Sequence, residues 1–311
     1  LTWPTMLLAK HVGVCDEPST KNWHAKTTPL LGGLPIFIAL VASLFFVRAE
    51  IPIILLFSIP VAIVGLVGFW DDTWTLRPIP KLLGLFPGAL AGYLLWPDAL
   101  PIWIGALFVL FFLFLANSVN LLDNIDGLTG LMSALSAAGI AVMANYSGMT
   151  DLSFAAIALS GACLGFVFFN YRPWASAAIF LGDMGALLIG AALAVGCSFL
   201  MTAAQTPLDY LACGLPAGLV MFDTVTTIVA RKANGDEALS RSLDHISQRL
   251  YKSGITRWKV TLIMGAVTAV ASVASIGLWV ANDPALEGLA LAAGVIPIFA
   301  LAAYAYTRPE E

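Results

Sequence analysis

Ten largely apolar stretches dominate the chain, near 34–47, 51–70, 82–96, 101–116, 127–145, 152–169, 184–203, 209–230, 259–281 and 286–306. About 20 such residues suffice to cross the hydrocarbon layer of a bilayer. Inside hydrocarbon the backbone has no water to bond, so each stretch is expected to be a helix; the runs are too long and too continuously apolar for tilted barrel strands. The sequence therefore predicts an all-α, polytopic integral membrane protein of about ten transmembrane helices. It reads as one membrane domain over 1–311, with inner loops at about 1–33, 71–81, 117–127, 170–183 and 231–258. Composition agrees: charged residues are 11% of the chain and hydrophobic residues 59%, against roughly 25% charged in ordinary globular proteins. A water-soluble enzyme, a disordered tail, a collagen and a disulfide-stapled module are excluded. The formal net charge of -4 is too small and too scattered to advertise a nucleic-acid partner.

Sidedness follows from the bias of basic residues toward the cytoplasm. With ten spans, one face receives 14 of the 15 Lys and Arg residues, and the other receives only Arg48. A missed span in the middle would destroy that asymmetry, so it supports the count and places the basic face in the cytoplasm of a cell membrane. Trp70, Trp74, Trp96, Trp103, Trp174, Trp258 and Trp279 fall near span ends, where amphipathic rings sit at the interface. Cys15, Cys163, Cys197 and Cys213 show no metal-ligand spacing and read as small core residues. The chain opens on Leu1 rather than Met, and Leu1 to Ala9 is too short to cross or to act as a signal peptide, so an earlier segment is expected.

The acids sort by face more informatively than the bases. Glu50, Asp98, Asp151, Asp209, Asp283 and Glu287 sit singly in outer loops, while the other 13 of 19 lie at the inner face. Several cluster there: Asp71 with Asp72, then Asn117, Asn120, Asp123 and Asp126, then Asp183. Adjacent Asp71 and Asp72 are turned about 100° apart on a helix and need not share a role. Were the run from Asn117 to Asp126 helical throughout, its ends would lie on opposite faces about 13.5 Å apart. Neighbours Asn120 and Asp123 could share an ion, while Gly127 and Gly130 invite a break that frees Asp126. A single acidic pair at a helix end is ordinarily a solvated cap; three clusters on one side are not. Carboxylate and amide oxygens without a Cys or His pair favour a hard cation, Mg²⁺ with Mn²⁺ as its substitute, bound together with phosphate.

Residues 231–259 hold seven basic side chains against Asp236, Glu237 and Asp244. A basic loop opposite an acidic floor suits a polyanion carried with its metal. Positive-inside bias accounts for Arg257 and Lys259. It accounts less well for Asp244-His245-Ile246-Ser247-Gln248-Arg249-Leu250, where His245 and Arg249 lie one helical turn apart.

Asp71-Asp72 after an apolar helix, the run Asn117 to Leu128 and Phe180-Leu181-Gly182-Asp183-Met184-Gly185 together resemble the polyprenyl-phosphate N-acetylhexosamine-1-phosphate transferases. Gly13-Val14-Cys15-Asp16-Glu17-Pro18, followed by Lys21, His24 and Pro29 through Gly33, resembles the family's first cytoplasmic loop. The resemblance runs from about residue 10 to 260, with every motif in order. It implies a magnesium-dependent enzyme that moves a phospho-N-acetylhexosamine from a UDP-sugar to a membrane polyprenyl phosphate, releasing UMP, early in cell-wall or surface-glycan synthesis. It also implies roles by position. Asp183 and Asn120 would hold the metal, Phe180 would stack near the uracil with Asp126 nearby, and Asp71 and Asp72 would serve the acceptor phosphate with Asp123 between them and the metal. Catalysis would thus rest on Asp71, Asp72 and Asp123. Lys26, Asn117, Asn170, His245 and Arg249 would be substrate contacts, and Asp223 would either take part in catalysis or hold Arg231.

Two departures stand out. Only His245 remains where the family usually has several histidines, with Ser247 and Gln248 beside it, and Asn124 replaces the usual Gly. The rival readings are an ion-coupled transporter and a catalytically inactive relative that binds lipid or nucleotide. Sequence leaves open the sugar, the polyprenyl chain, direct attack against a covalent intermediate, and the assembly, a homodimer among the options.

Overall fold

The structure, a computed structural model, describes residues 1–17, 27–233, 235 and 244–307. All ten apolar stretches are helical. They appear as α2 (Gly33–Phe46), α3 (Ile51–Trp74), α4 (Pro78–Leu94), α5 (Ile102–Leu122), α6 (Leu128–Tyr146), α7 (Thr150–Asn170), α8 (Gly182–Leu200), α9 with α10 (Pro207–Gly214 and Gly218–Ala233), α12 (Arg257–Val280) and α13 (Pro284–Thr307). Short helices α1 (Thr2–Val12) and α11 (Ile246–Lys252) lie outside this series. Among the described residues eight stretches are long and apolar enough to cross a membrane, the pair α9–α10 counting as one. The remaining two, α2 with 14 residues and α4 with 17, are shorter. The fold is thus that of an all-α, multi-pass membrane protein, with one two-residue antiparallel ribbon pairing Cys15 with Pro29 and Asp16 with Thr28.

The stretch expected at 209–230 is broken rather than continuous. Pro216 has no N–H to give to a helix, and the chain passes through a tight turn at Leu215–Ala217 between α9 and α10. The Pro216 carbonyl left over accepts the Ser136 hydroxyl at 2.6 Å, the kind of substitute bond that makes a helix break tolerable inside a membrane.

Helix α8 is the axis of the bundle. Every residue from Gly185 to Cys197 is buried, and glycines make its close approaches: Gly65 and Gly68 of α3 lie against Leu188 and Met184, and Gly190 of α8 lies against Ala116 of α5. Between spans in lipid, close packing of small residues supplies attraction that apolar burial alone does not. A Cβ on Gly68 of α3 would come within 2.5 Å of the Asp183 carbonyl and of Met184 Cα, so the α3–α8 contact has no room for a methyl group. At the opposite extreme, only 22% of the most apolar window of α13 is buried. Most tryptophans are exposed near helix ends as expected. Trp96 is an exception: it is 9% exposed, with its ring centroid 5.2 Å from Phe108 and 5.4 Å from Phe199, and belongs to the core rather than to an interfacial belt. Cys163, Cys197 and Cys213 are buried as core residues and Cys15 is half-buried.

Candidate active site

Chain direction alternates through the bundle, so the C-terminal ends of α3, α5 and α7 lie beside the N-terminal ends of α4, α6 and α8. At that end a cleft of about 460 Å³ is lined by the carboxylates of Asp16, Asp71, Asp72, Asp123, Asp126 and Asp183, with Asn170, Phe180 and Arg257. The three acidic segments that sequence placed on one surface therefore share one cavity, of a size that suits a small-molecule ligand.

Helix α5 stops where the acids begin. Leu122 is its last residue, and the chain turns through Asp123–Asp126 to Gly127, whose φ of 78° is the left-handed conformation that glycine adopts freely. This is the break the two glycines invite, made at Gly127; Gly130 lies inside α6. Asn120 stays on the helix, while Asp123, Asn124 and Asp126 face the cleft. Asn117, one turn earlier, is not among the residues lining it.

A lysine occupies the middle of the carboxylates. Lys81, in the first turn of α4, places Nζ 2.7 Å from Asn120 Oδ1, 2.7 Å from Asp71 Oδ2 and 3.2 Å from Asp183 Oδ2. Asn120 Nδ2 also donates to Asp183 Oδ1, and Leu76 N–H donates to Asp71 Oδ1. The adjacent acids Asp71 and Asp72 have separate partners, as their angular offset on the helix predicts. Asp72 accepts the backbone N–H groups of Asp183 at 2.8 Å and Met184 at 3.0 Å. It thereby caps α8 from another helix, a carboxylate on the positive end of a helix dipole, and fixes Asp183 at the cleft wall.

Other positions implied by the resemblance are structural in part. Asn170 is buried and clamps two loops: Oδ1 accepts Gly127 N–H and Nδ2 donates to the Ile179 carbonyl at 2.8 Å. Phe180 lines the cleft while its backbone N–H donates to Pro29 O at 2.7 Å. His245 and Arg249 are not among the lining residues. Buried Asp223 meets His245 Nδ1 at 2.7 Å and accepts Ile246 N–H at 2.7 Å, so it docks the segment that opens α11 onto α10. Arg249 Nη2 donates to Asp244 Oδ1 at 3.2 Å and its Cζ lies 4.2 Å from the Tyr306 ring centroid. Lys26, Lys21, His24, Asp236, Glu237 and Arg241 lie outside the described residues.

The two departures from the family pattern meet each other. Ser247 Oγ, fully buried, donates to Asn124 Oδ1 at 2.8 Å and ties α11 to the cleft floor. Replacing either partner by Ala is expected to lose ~0.5–1.5 kcal/mol of stability. The double variant should lose less than the sum, a non-additivity that reports a direct contact. Thermal unfolding of the four proteins in detergent measures it; strict additivity would rule the contact out.

Asp123 sits outside the helices and is exposed toward the cleft, whose walls partly desolvate its carboxyl. That desolvation, with the Asp183 and Asp126 carboxylates nearby, pushes it up to about 7. A carboxyl raised on folding destabilises the native state as pH climbs from its ordinary value toward about 7, and no further above that. In EDTA, Asp123→Asn should therefore unfold at a higher temperature than the parent at pH 8, with the difference shrinking toward pH 4. An equal difference at both pH values would count against the shift.

Three lining or caged residues escaped the sequence reading. Lys81 and Arg257 lie in the first turns of α4 and α12 at the basic end and look like sidedness signals, and Asp16, named only within a motif, lines the cleft from the two-residue ribbon. A sequence signal existed for Lys81 alone, a cation ten residues after Asp71 in the very next helix.

Comparison with known proteins adds the following. The family model described as glycosyl transferase family 4 matches residues 53–201, a segment holding Asp71, Lys81, Asn120, Asp123 and Asp183. A Bacillus subtilis protein named probable undecaprenyl-phosphate N-acetylglucosaminyl 1-phosphate transferase is 26% identical over 87% of this chain and 79% of its own. The phospho-N-acetylmuramoyl-pentapeptide-transferase of Lactiplantibacillus plantarum is 28% identical over 86% and 91%. The decaprenyl-phosphate N-acetylglucosaminephosphotransferase of Mycobacterium tuberculosis is 26% identical over 85% and 75%.

Proposed function

The chain belongs to glycosyl transferase family 4, and from that premise we propose that it transfers N-acetylhexosamine-1-phosphate from a UDP-sugar to a membrane polyprenyl phosphate, releasing UMP. The observation that carries this reading is the cation-centred oxygen cage that shares Asp71 and Asp183 with a cleft at the helix ends. A water-soluble diphosphate and a lipid head group can meet there, and nowhere deeper. The excess of basic residues on that side supports a cleft that faces the cytoplasm. An ion-coupled transporter would instead carry its acids near the midplane, away from the ends of α3, α5 and α8.

The residues present fit a divalent ion. Mg²⁺ takes one or two carboxylates and completes its shell with phosphate and water, and Asp183 beside Asn120 offers oxygens of that kind. That a lysine ammonium is gripped by Asn120, Asp71 and Asp183 supports oxygens aimed at one cationic point. Asp183 and Asn120 would hold the ion. When bound, it supplies positive charge to a diphosphate that a carboxylate-lined cleft would otherwise repel.

The chain's own groups do the rest. Asp72, with both oxygens on α8 amides, is the positioning residue for Asp183. Lys81 and Arg257 offset phosphate charge, and Asp71 holds Lys81 in place for it. Asp123 opens onto the cleft with a raised affinity for protons and serves as the group that keeps the acceptor phosphate deprotonated. An oxygen of that phosphate then forms a bond to the sugar-bearing phosphorus as the bond to UMP breaks. Phe180 offers a face for the uracil, and Asp126 lies on the same side.

Purified protein with polyprenyl phosphate and a panel of UDP-sugars tests the reading. UMP should appear with at least one UDP-N-acetylhexosamine, and only when Mg²⁺ or Mn²⁺ is present. Silence across the panel from folded protein would overturn it.

A further inference from the structure

Lys81 is placed where helix stability gives it no reason to be. The first turn of α4 contains no acid, and the positive end of a helix dipole disfavours an ammonium. Its side chain is nonetheless only 13% exposed and points into the acids. Two of its three partners, Asn120 and Asp183, are the residues read as the metal's ligands. A divalent ion bonded to Asn120 Oδ1 and an ammonium at 2.7 Å from that same oxygen would be two unscreened positive charges in near contact. They cannot both stay.

We propose that Lys81 is a tethered placeholder for the divalent ion: its ammonium fills the oxygen cage while no metal is bound and leaves it when the metal arrives. This rests on the metal reading given above and adds an exchange at one point. Without a cation the cage would set Asp71, 6% exposed, beside Asp183 with no counter-charge, and an unpaired buried carboxylate is strongly destabilising. Lysine suits the task better than arginine, being a compact charge on a flexible four-carbon stem. It can withdraw a few ångströms while Asp71 still holds it, which turns it toward the phosphates that accompany the metal. The site is thereby kept neutralised in both states.

The test needs no turnover. Mn²⁺ binding to the full chain in detergent is followed by electron paramagnetic resonance, for the parent and for Lys81→Met. If the ammonium occupies the cage most of the time, apparent metal affinity is lowered by that occupancy, and Lys81→Met should bind Mn²⁺ at least about tenfold more tightly. In EDTA the same variant should unfold at a lower temperature than the parent, with Mn²⁺ closing the gap. A second measurement uses the parent protein alone: acylation of Lys81 by an amine reagent, read by mass spectrometry, should be slow in EDTA and faster with Mn²⁺. Bound Mn²⁺ with unchanged or weaker affinity in the variant and unchanged labelling in the parent would overturn the exchange and leave the metal reading standing. No bound Mn²⁺ in either protein would overturn both.

Discussion

Asp183→Asn protein, folded and in detergent, is expected to release UMP at least about 10²–10³-fold more slowly than the parent, the loss typical of removing one preorganised charge from a reacting centre. Asp183 is the carboxylate at which three features converge: Lys81 Nζ at 3.2 Å, the Asn120 amide, and a backbone held by Asp72. The substitution keeps shape and removes charge, so α8 should stay capped. The control is Glu50→Gln, which precedes α3 at the other end of the bundle and acts there through its backbone N–H on Asp151 Oδ2 at 2.8 Å. That contact survives the change, and activity should stay within about twofold, the range of surface substitutions. Comparable losses from the two variants would detach the cleft from the reaction.

Gly182→Ala is expected to damage the fold and the site together. Gly182 has φ of 73°, which an alanine adopts at ~1–2 kcal/mol. Its new Cβ would also lie 2.6 Å from the Leu30 carbonyl and 2.7 Å from Asp72 Oδ2, adding an overpacking penalty of ~1–3 kcal/mol. The clash falls on the carboxylate that caps α8, so relief by movement of Asp72 would misplace Asp183. Thermal unfolding and UMP release should both fall. Gly161→Ala is the matched control, since its Cβ would meet nothing within 4 Å. Similar behaviour of the two alanines would mean that the tight turn at Gly182 is dispensable.

Much of this fold was legible because hydrocarbon imposes one rule on every span. The ten stretches became helices, and alternating direction then brought the Asp71, Asp123 and Asp183 segments to one end. The break at Leu215–Ala217 escaped because Ser136, the residue that makes it tolerable, lies 80 positions away. Trp96 escaped for the same kind of reason: its partners Phe108 and Phe199 come from two other helices. Within the site, residue type indicated acids and a hard cation but did not indicate which acid does what. Asp72 looks identical to Asp71 in sequence, and only the approach of α8 turns it into a cap. His245 and Arg249 carry chemistry associated with phosphates, yet Asp223, Asp244 and Tyr306 engage them. Lys81 was hidden because a basic residue at an inner helix end is what sidedness alone would put there.

The long reach of Asp72 bears on how the protein is made. Its partner amides lie 111 and 112 residues further along the chain, which at ~5–20 residues per second takes a ribosome on the order of ten seconds. Throughout that interval helices α3 and α4 are already made, with a carboxylate on α3 that has no amide to receive. Lys81, which emerges almost at once after Asp71, brings the first counter-charge to the nascent pair.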